Sequence, residues 1–107
     1  MKNIKKDFNR QEHITWLQQT QGIDGGFGFY PQTTTFIENT YHGLYALEQL
    51  EAEPLKLQAC EKFILLCRTG NSAFGRKIIS IPTLEATYYA TKSLEIIDRM
   101  KKKHKTF

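Results

Sequence analysis

Glu38–Leu50 reads ENTYHGLYALEQL, and Glu85–Ile97 reads EATYYATKSLEII. Both begin with an acidic residue and a Thr-Tyr pair, and the apolar positions Tyr41, Leu44 and Leu47 of the first follow a helical rather than an alternating period. Sliding the chain by 47 positions aligns Gln11–Leu50 with Gln58–Ile97 without a gap, and eight of the forty pairs are identical. They include Phe27/Phe74, Gly28/Gly75, Glu38/Glu85, Thr40/Thr87, Tyr41/Tyr88 and Leu47/Leu94. Chance pairing would give about two or three, and a fixed period of this size marks a repeat architecture.

Each repeat resolves into two helical segments joined by a Gly-containing loop. In the third segment Ala59, Cys60, Phe63, Ile64 and Cys67 form one face. The equivalent positions of the first segment, Glu12, His13, Trp16, Leu17 and Thr20, make a more polar face, with His13 expected half-buried. Thr35 stands three before Glu38, which predicts a capping box at the second helix, and Pro82 is expected in the first turn of the fourth. The expected fold is all-α: two tandem helical hairpins in a single domain over 1–107. Repeat one covers about 8–51 and repeat two about 55–101, with helices near 8–21, 35–51, 55–68 and 82–101.

A chain of 107 residues with 40% apolar side chains fits one domain. The formal charge of +4 is misleading: Arg99, Lys101, Lys102, Lys103 and Lys105 sit in the last nine residues, and without them the body is near neutral. The run 101–107 is expected to be a solvated basic tail on a helix end, not a nucleic-acid contact. No apolar run is long enough to span a bilayer and no secretory signal is evident, so the cytoplasm is the expected compartment. Cys60 and Cys67 are expected to be buried thiols, since seven residues along a helix separate their Cα atoms by about 10 Å, too far for a disulfide.

WLQQTQGIDGGF, together with TYHGLYAL and its echo TYYATKSL, resembles the repeats of protein prenyltransferase β subunits and of squalene and oxidosqualene cyclases. Trp16, Leu17, Gln21, Gly25 and Phe27 follow the spacing of the cyclase QW motif, with Phe27 where the cyclases prefer Trp; in the second copy Phe74 holds while Arg68 and Ser72 replace Gln and Gly. The resemblance implies a segment of an αα-toroid, a ring of helical hairpins whose inner helices line a cavity. These motif residues are structural.

The resemblance implies no chemistry that this chain supplies by itself. At the positions where zinc-dependent prenyltransferases hold Asp, Cys and His stand Glu38, Thr40 and Glu85, which is a poor zinc set. Neither the DxDD acid of the cyclases nor a DDxxD diphosphate site is present, so no catalytic residue, metal or cofactor is assigned. The plain account of Glu38 and Glu85 is a carboxylate helping the first turn of a helix, and for His42 it is packing among tyrosines. Glu38, Tyr41, His42, Tyr45, Glu85, Tyr88 and Tyr89 remain the candidates for lining an apolar ligand cavity, because aromatic faces suit isoprenoid chains.

A toroid of this kind needs five to seven hairpins, and repeat units bury their faces against neighbours. Two hairpins leave an apolar edge at each end. The expected partner is therefore a second copy or another protein completing the array, with an isoprenoid as the possible ligand; the alternative is a non-catalytic repeat module for protein binding.

Overall fold

The computed structural model describes residues 9–70 and 72–104. Among them are four helices, α1 (Arg10–Gln19), α2 (Ile37–Gln49), α3 (Leu57–Leu66) and α4 (Leu84–Lys103). Between α3 and α4 lies an antiparallel sheet of β1 (Arg68–Thr69), β2 (Ala73–Gly75) and β3 (Pro82–Thr83), in that order. The fold is predominantly helical, and the all-α expectation is corrected by this sheet. The expected start of the first helix at residue 8 lies outside the described residues.

The sheet exists because the long loop dives into the core. Phe74 is buried, so its peptide groups need partners there, and it pairs with Arg68 on one side and Thr83 on the other. Forty-seven residues earlier the same thing happens in shorter form, as single bridges Gln21↔Phe27 and Phe27↔Phe36. In both copies the amide of the buried phenylalanine donates to a helix threonine: Phe27 N–H to Thr40 Oγ1 and Phe74 N–H to Thr87 Oγ1, each at 2.9 Å. Each hydroxyl in turn donates to the carbonyl before its helix, Thr40 to Phe36 at 2.9 Å and Thr87 to Thr83 at 2.7 Å. Gly28 N–H reaches Thr20 O and Gly75 N–H reaches Cys67 O at 3.0 and 2.9 Å. The identical Phe-Gly and Thr-Tyr pairs are thus one hydrogen-bonded unit built twice. Gly43 belongs to it in the first copy, since a Cβ there would lie 2.7 Å from the Phe27 ring.

Both predicted caps are corrected. Thr35 does not cap α2; its hydroxyl donates to Asp24 Oδ2 at 2.7 Å, and Glu38 is drawn to Arg76, so neither half of a capping box is available. Pro82 lies in β3, and Thr83 caps α4 by accepting from Ala86 N–H at 3.0 Å. In α1 the cap is Asn9, accepting from Glu12 N–H.

The core joins both repeats: Phe27, Ile37, Leu44 and Leu47 meet Phe63, Ile64, Ile96 and Ile97, and α2 and α4 form the most extensive helix contact. Cys60 and Cys67 are buried free thiols. The polar first-helix face is also corrected. Thr20 and Ile14 face inward, while Glu12, His13 and Trp16 are exposed.

As far as it is described, the basic run is a helix end on which Lys102, Lys103 and His104 are exposed. Lys101, Lys102 and Lys103 form the last turn of α4, where cations suit the helix dipole. Arg99 makes a two-point contact with Glu48 at 2.8 and 2.9 Å, Lys101 reaches Glu61 at 3.0 Å, and His104 meets Glu53 at 2.6 Å. The end of α4 is therefore tied to α2, to α3 and to the turn between them. Lys105 and the rest of 105–107 lie outside the described residues.

Candidate functional site: the ring face and the open groove

The Tyr-rich turns of α2 and α4 lie side by side because their helices pack along their length. Tyr41 and Tyr89 stack across the repeat boundary, with ring centroids 5.2 Å apart and planes at 25°. Tyr45 extends the group from Tyr41 at 6.0 Å, and Tyr88 extends it from Tyr89 at 5.6 Å. The His42 imidazole touches both members of the stack, at 5.2 Å from Tyr41 and 5.6 Å from Tyr89. Tyr41 and Tyr89 are half-buried, and His42, Tyr45 and Tyr88 are exposed. Five of the seven candidate residues therefore form one continuous patch.

Glu38 stands at the edge of that region and is held by Arg76. The guanidinium donates to both carboxylate oxygens, the shortest contact being 2.6 Å, and lies 4.2 Å over the Phe36 ring. Partial burial works to raise the Glu38 carboxyl, but the Arg76 hydrogen bonds and charge outweigh it, with smaller help from its own backbone amide and from His42, and hold it below the usual carboxylate range. Glu85 lies in the first turn of α4 and is exposed. The Glu38 carboxyl therefore moves away from neutral pH, opposite to what a general acid requires. The thiols are equally inert. Burial pushes Cys60 far up, and pushes Cys67 up to about 12.

The structural-motif residues separate. Phe27 and Phe74 are in the core. Gln21 does not bond the free carbonyls of its own helix; its Nε2 donates to Gly25 O and Lys56 O, both at 2.9 Å, and its Oε1 accepts from Lys56 N–H at 3.1 Å. Gly25, at φ 96°, lies so close to α3 that a Cβ would come 2.1 Å from Ala59 O. Trp16 is 48% exposed and lines an open groove of about 500 Å³ with His13, Leu17, Ala46, Gln49 and Leu50, between α1 and α2.

The Arg76 contact with Glu38 and the support that Thr40 and Thr87 give the buried phenylalanines were not read from the pattern. The two threonines carried a signal, because they are among the eight identities of the repeat. Arg76 carried none, since Phe29 stands at the equivalent position. Among the described residues no cluster of three or more His, Cys, Asp or Glu side chains is placed to hold a metal ion, and no helix is long and apolar enough to cross a membrane. No protein-family model matches the chain, and comparison with characterised proteins finds no relative.

Proposed function

We propose that this chain is a two-hairpin segment of the repeat type found in prenyltransferase β subunits and terpenoid cyclases, acting as a binding scaffold without catalysis of its own. Its ligand is an apolar chain of the isoprenoid class, received on the ring face of α2 and α4. The observation that carries this reading is the Tyr41–Tyr89 stack, which makes an aromatic surface continuous across two inner-type helices. The array is completed by a second copy or by a partner.

The test is thermal unfolding with farnesyl and geranylgeranyl diphosphates, with inorganic pyrophosphate as the control for headgroup binding. A ligand at ten times its Kd adds about 1.4 kcal/mol and raises Tm by about 5–10 °C. That shift is expected with the isoprenoids, absent with pyrophosphate, and lost in Tyr45→Ala/Tyr88→Ala, whose rings are exposed. A second reading, a non-catalytic module that binds protein, is favoured by the exposed side chains of Ile79, Ile81 and Leu84. No shift with any isoprenoid, with a stoichiometric protein partner co-purifying, decides for it.

A further inference from the structure

The two repeats bury equivalent positions very differently. Five of the groove residues of the first repeat, His13, Trp16, Leu17, Gln49 and Leu50, correspond at the 47-residue offset to Cys60, Phe63, Ile64, Ile96 and Ile97. All five of the latter are buried, Phe63 to 1% exposure against 48% for Trp16. In the second repeat this surface is covered by the first repeat; among the described residues nothing fills it in the first. The opposite face shows the converse. Ile37 is 0% exposed beneath the loop of the second repeat, whose Arg76 carbonyl accepts its N–H at 2.7 Å, while its equivalent Leu84 is 92% exposed. Ile79 and Ile81 in the chain leading to Leu84, and Tyr88 one helical turn after it, are also exposed.

We propose that copies of this chain associate head to tail, the Leu84 face of one copy seating on the Trp16 groove of the next as the first repeat seats on the second within the chain. This rests on reading the chain as part of a repeat array, and not on the ligand assigned to the ring face. The internal interface supplies the geometry, and the residues that differ between repeats supply complementarity. Phe29 and Tyr30, both exposed, stand where Arg76 and Lys77 lie over Phe36. On a second copy they are brought to Thr83 and Leu84, so a cation-on-ring contact becomes an apolar one. Arg68 stands in the place of Gln21 and Glu12 in the place of Ala59. Where Gln21 holds Lys56 at the start of α3, Arg68 is therefore brought to Asn9 of the second copy, at the start of the helix turn that carries Glu12 with the opposite charge. Tyr88 and His42 stand in the places of Tyr41 and Tyr89, so the ring stack continues from one copy to the next.

Such an interface uses two different patches, one on each copy, and is heterologous. That separates it from a two-fold dimer by complementation. In sedimentation velocity over the micromolar range, the wild-type chain is expected to gain mass with concentration beyond a dimer. Trp16→Glu and Leu84→Glu each destroy one patch and are expected to be monomeric alone, while their equimolar mixture forms a one-to-one dimer through the surviving pair of patches. Both residues are exposed, so helix content and melting in the dilute monomer should match the wild type; Phe29→Glu serves in place of Trp16→Glu if that variant fails to fold. A monomeric wild type, a single variant that still self-associates, or a mixture that stays monomeric each overturns the proposal. Isoprenoid titration of the monomeric Leu84→Glu variant reads the ring face separately.

Discussion

The chain from Gln21 to Phe36 and its counterpart from Arg68 to Thr83 begin differently and end alike. From the buried phenylalanine onward they share the glycine after it and a left-handed residue at Gln32 or Ile79, and in both the phenylalanine amide is received by a threonine of the helix that follows. Their first halves diverge. In the first repeat Gln21 and Gly25 turn outward to the start of α3, and Lys56, which opens that helix without a side-chain cap, is held by the Gln21 carboxamide. In the second repeat Arg68 and Ser72 stand there instead, and the chain folds on itself as the β1–β2 hairpin, with Gly70 at φ 70° in its turn. The shared half builds a repeat, and the variable half joins one repeat to the next.

The two loops differ most at Gly25 and Ser72. A methyl at Gly25 requires a left-handed alanine and displaces α3 from contact, so Gly25→Ala should destabilise the chain by about 3 kcal/mol or more. Ser72→Ala, at the equivalent position, should cost less than about 0.5 kcal/mol. Gln21→Ala should fall between them, at about 1–2 kcal/mol, because Lys56 N–H loses its acceptor. Urea unfolding at neutral pH measures all three, and equal costs at Gly25 and Ser72 would show that the loop does not join the repeats.

The shared half depends on its two threonines. Thr40→Val and Thr87→Val keep side-chain volume and remove the acceptor of a phenylalanine amide. Thr40 is fully buried, so the stranded Phe27 amide cannot recruit water, and the expected loss is about 2–3 kcal/mol. Thr87 is only half-buried, and about 1 kcal/mol is expected there. A larger cost at Thr87 than at Thr40 would place the dominant support of the buried loop elsewhere.

These elements also show what a sequence of this kind reveals. Helix positions and the face of α3 were readable because Cys60, Phe63, Ile64 and Cys67 keep a helical period against one continuous core. The ring patch was readable because a 47-residue offset brings Tyr41 and Tyr88 to the same place on neighbouring helices. The sheet was not, since it comes from peptide groups that carry no side-chain pattern. The caps failed for a related reason: Thr35 and Glu38 have the right spacing, but Asp24 and Arg76 are better placed partners, and only tertiary structure puts them there. Exposure of Trp16 was equally hidden, because a repeat position predicts burial only when the neighbouring unit is present.

The smallest effects separate two ion pairs that cross the repeats, Glu48–Arg99 and Glu38–Arg76. Arg99 hydrogen bonds lower the Glu48 carboxyl against a smaller opposing effect of burial, and Glu48 is the more buried of the two acids; Glu38 is lowered despite burial, by Arg76. A carboxyl whose folded pKa lies below its unfolded value contributes fully above that unfolded value and loses the contribution as pH falls through the folded one. Stability from these pairs should therefore be level from neutral pH down to about 4.5 and decline below it. With one partner of each pair half-exposed, solvent screening limits each to about 0.3–1 kcal/mol, with Glu48–Arg99 the larger because its two hydrogen bonds are parallel. Unfolding free energies of Glu48→Gln and Glu38→Gln should both converge on the wild type as pH falls from 5 to 3, with the wider initial gap at Glu48. A gap that persists at pH 3 would mean the glutamate acts through packing, and the joint between the repeats would then rest on Gln21 and the shared core alone.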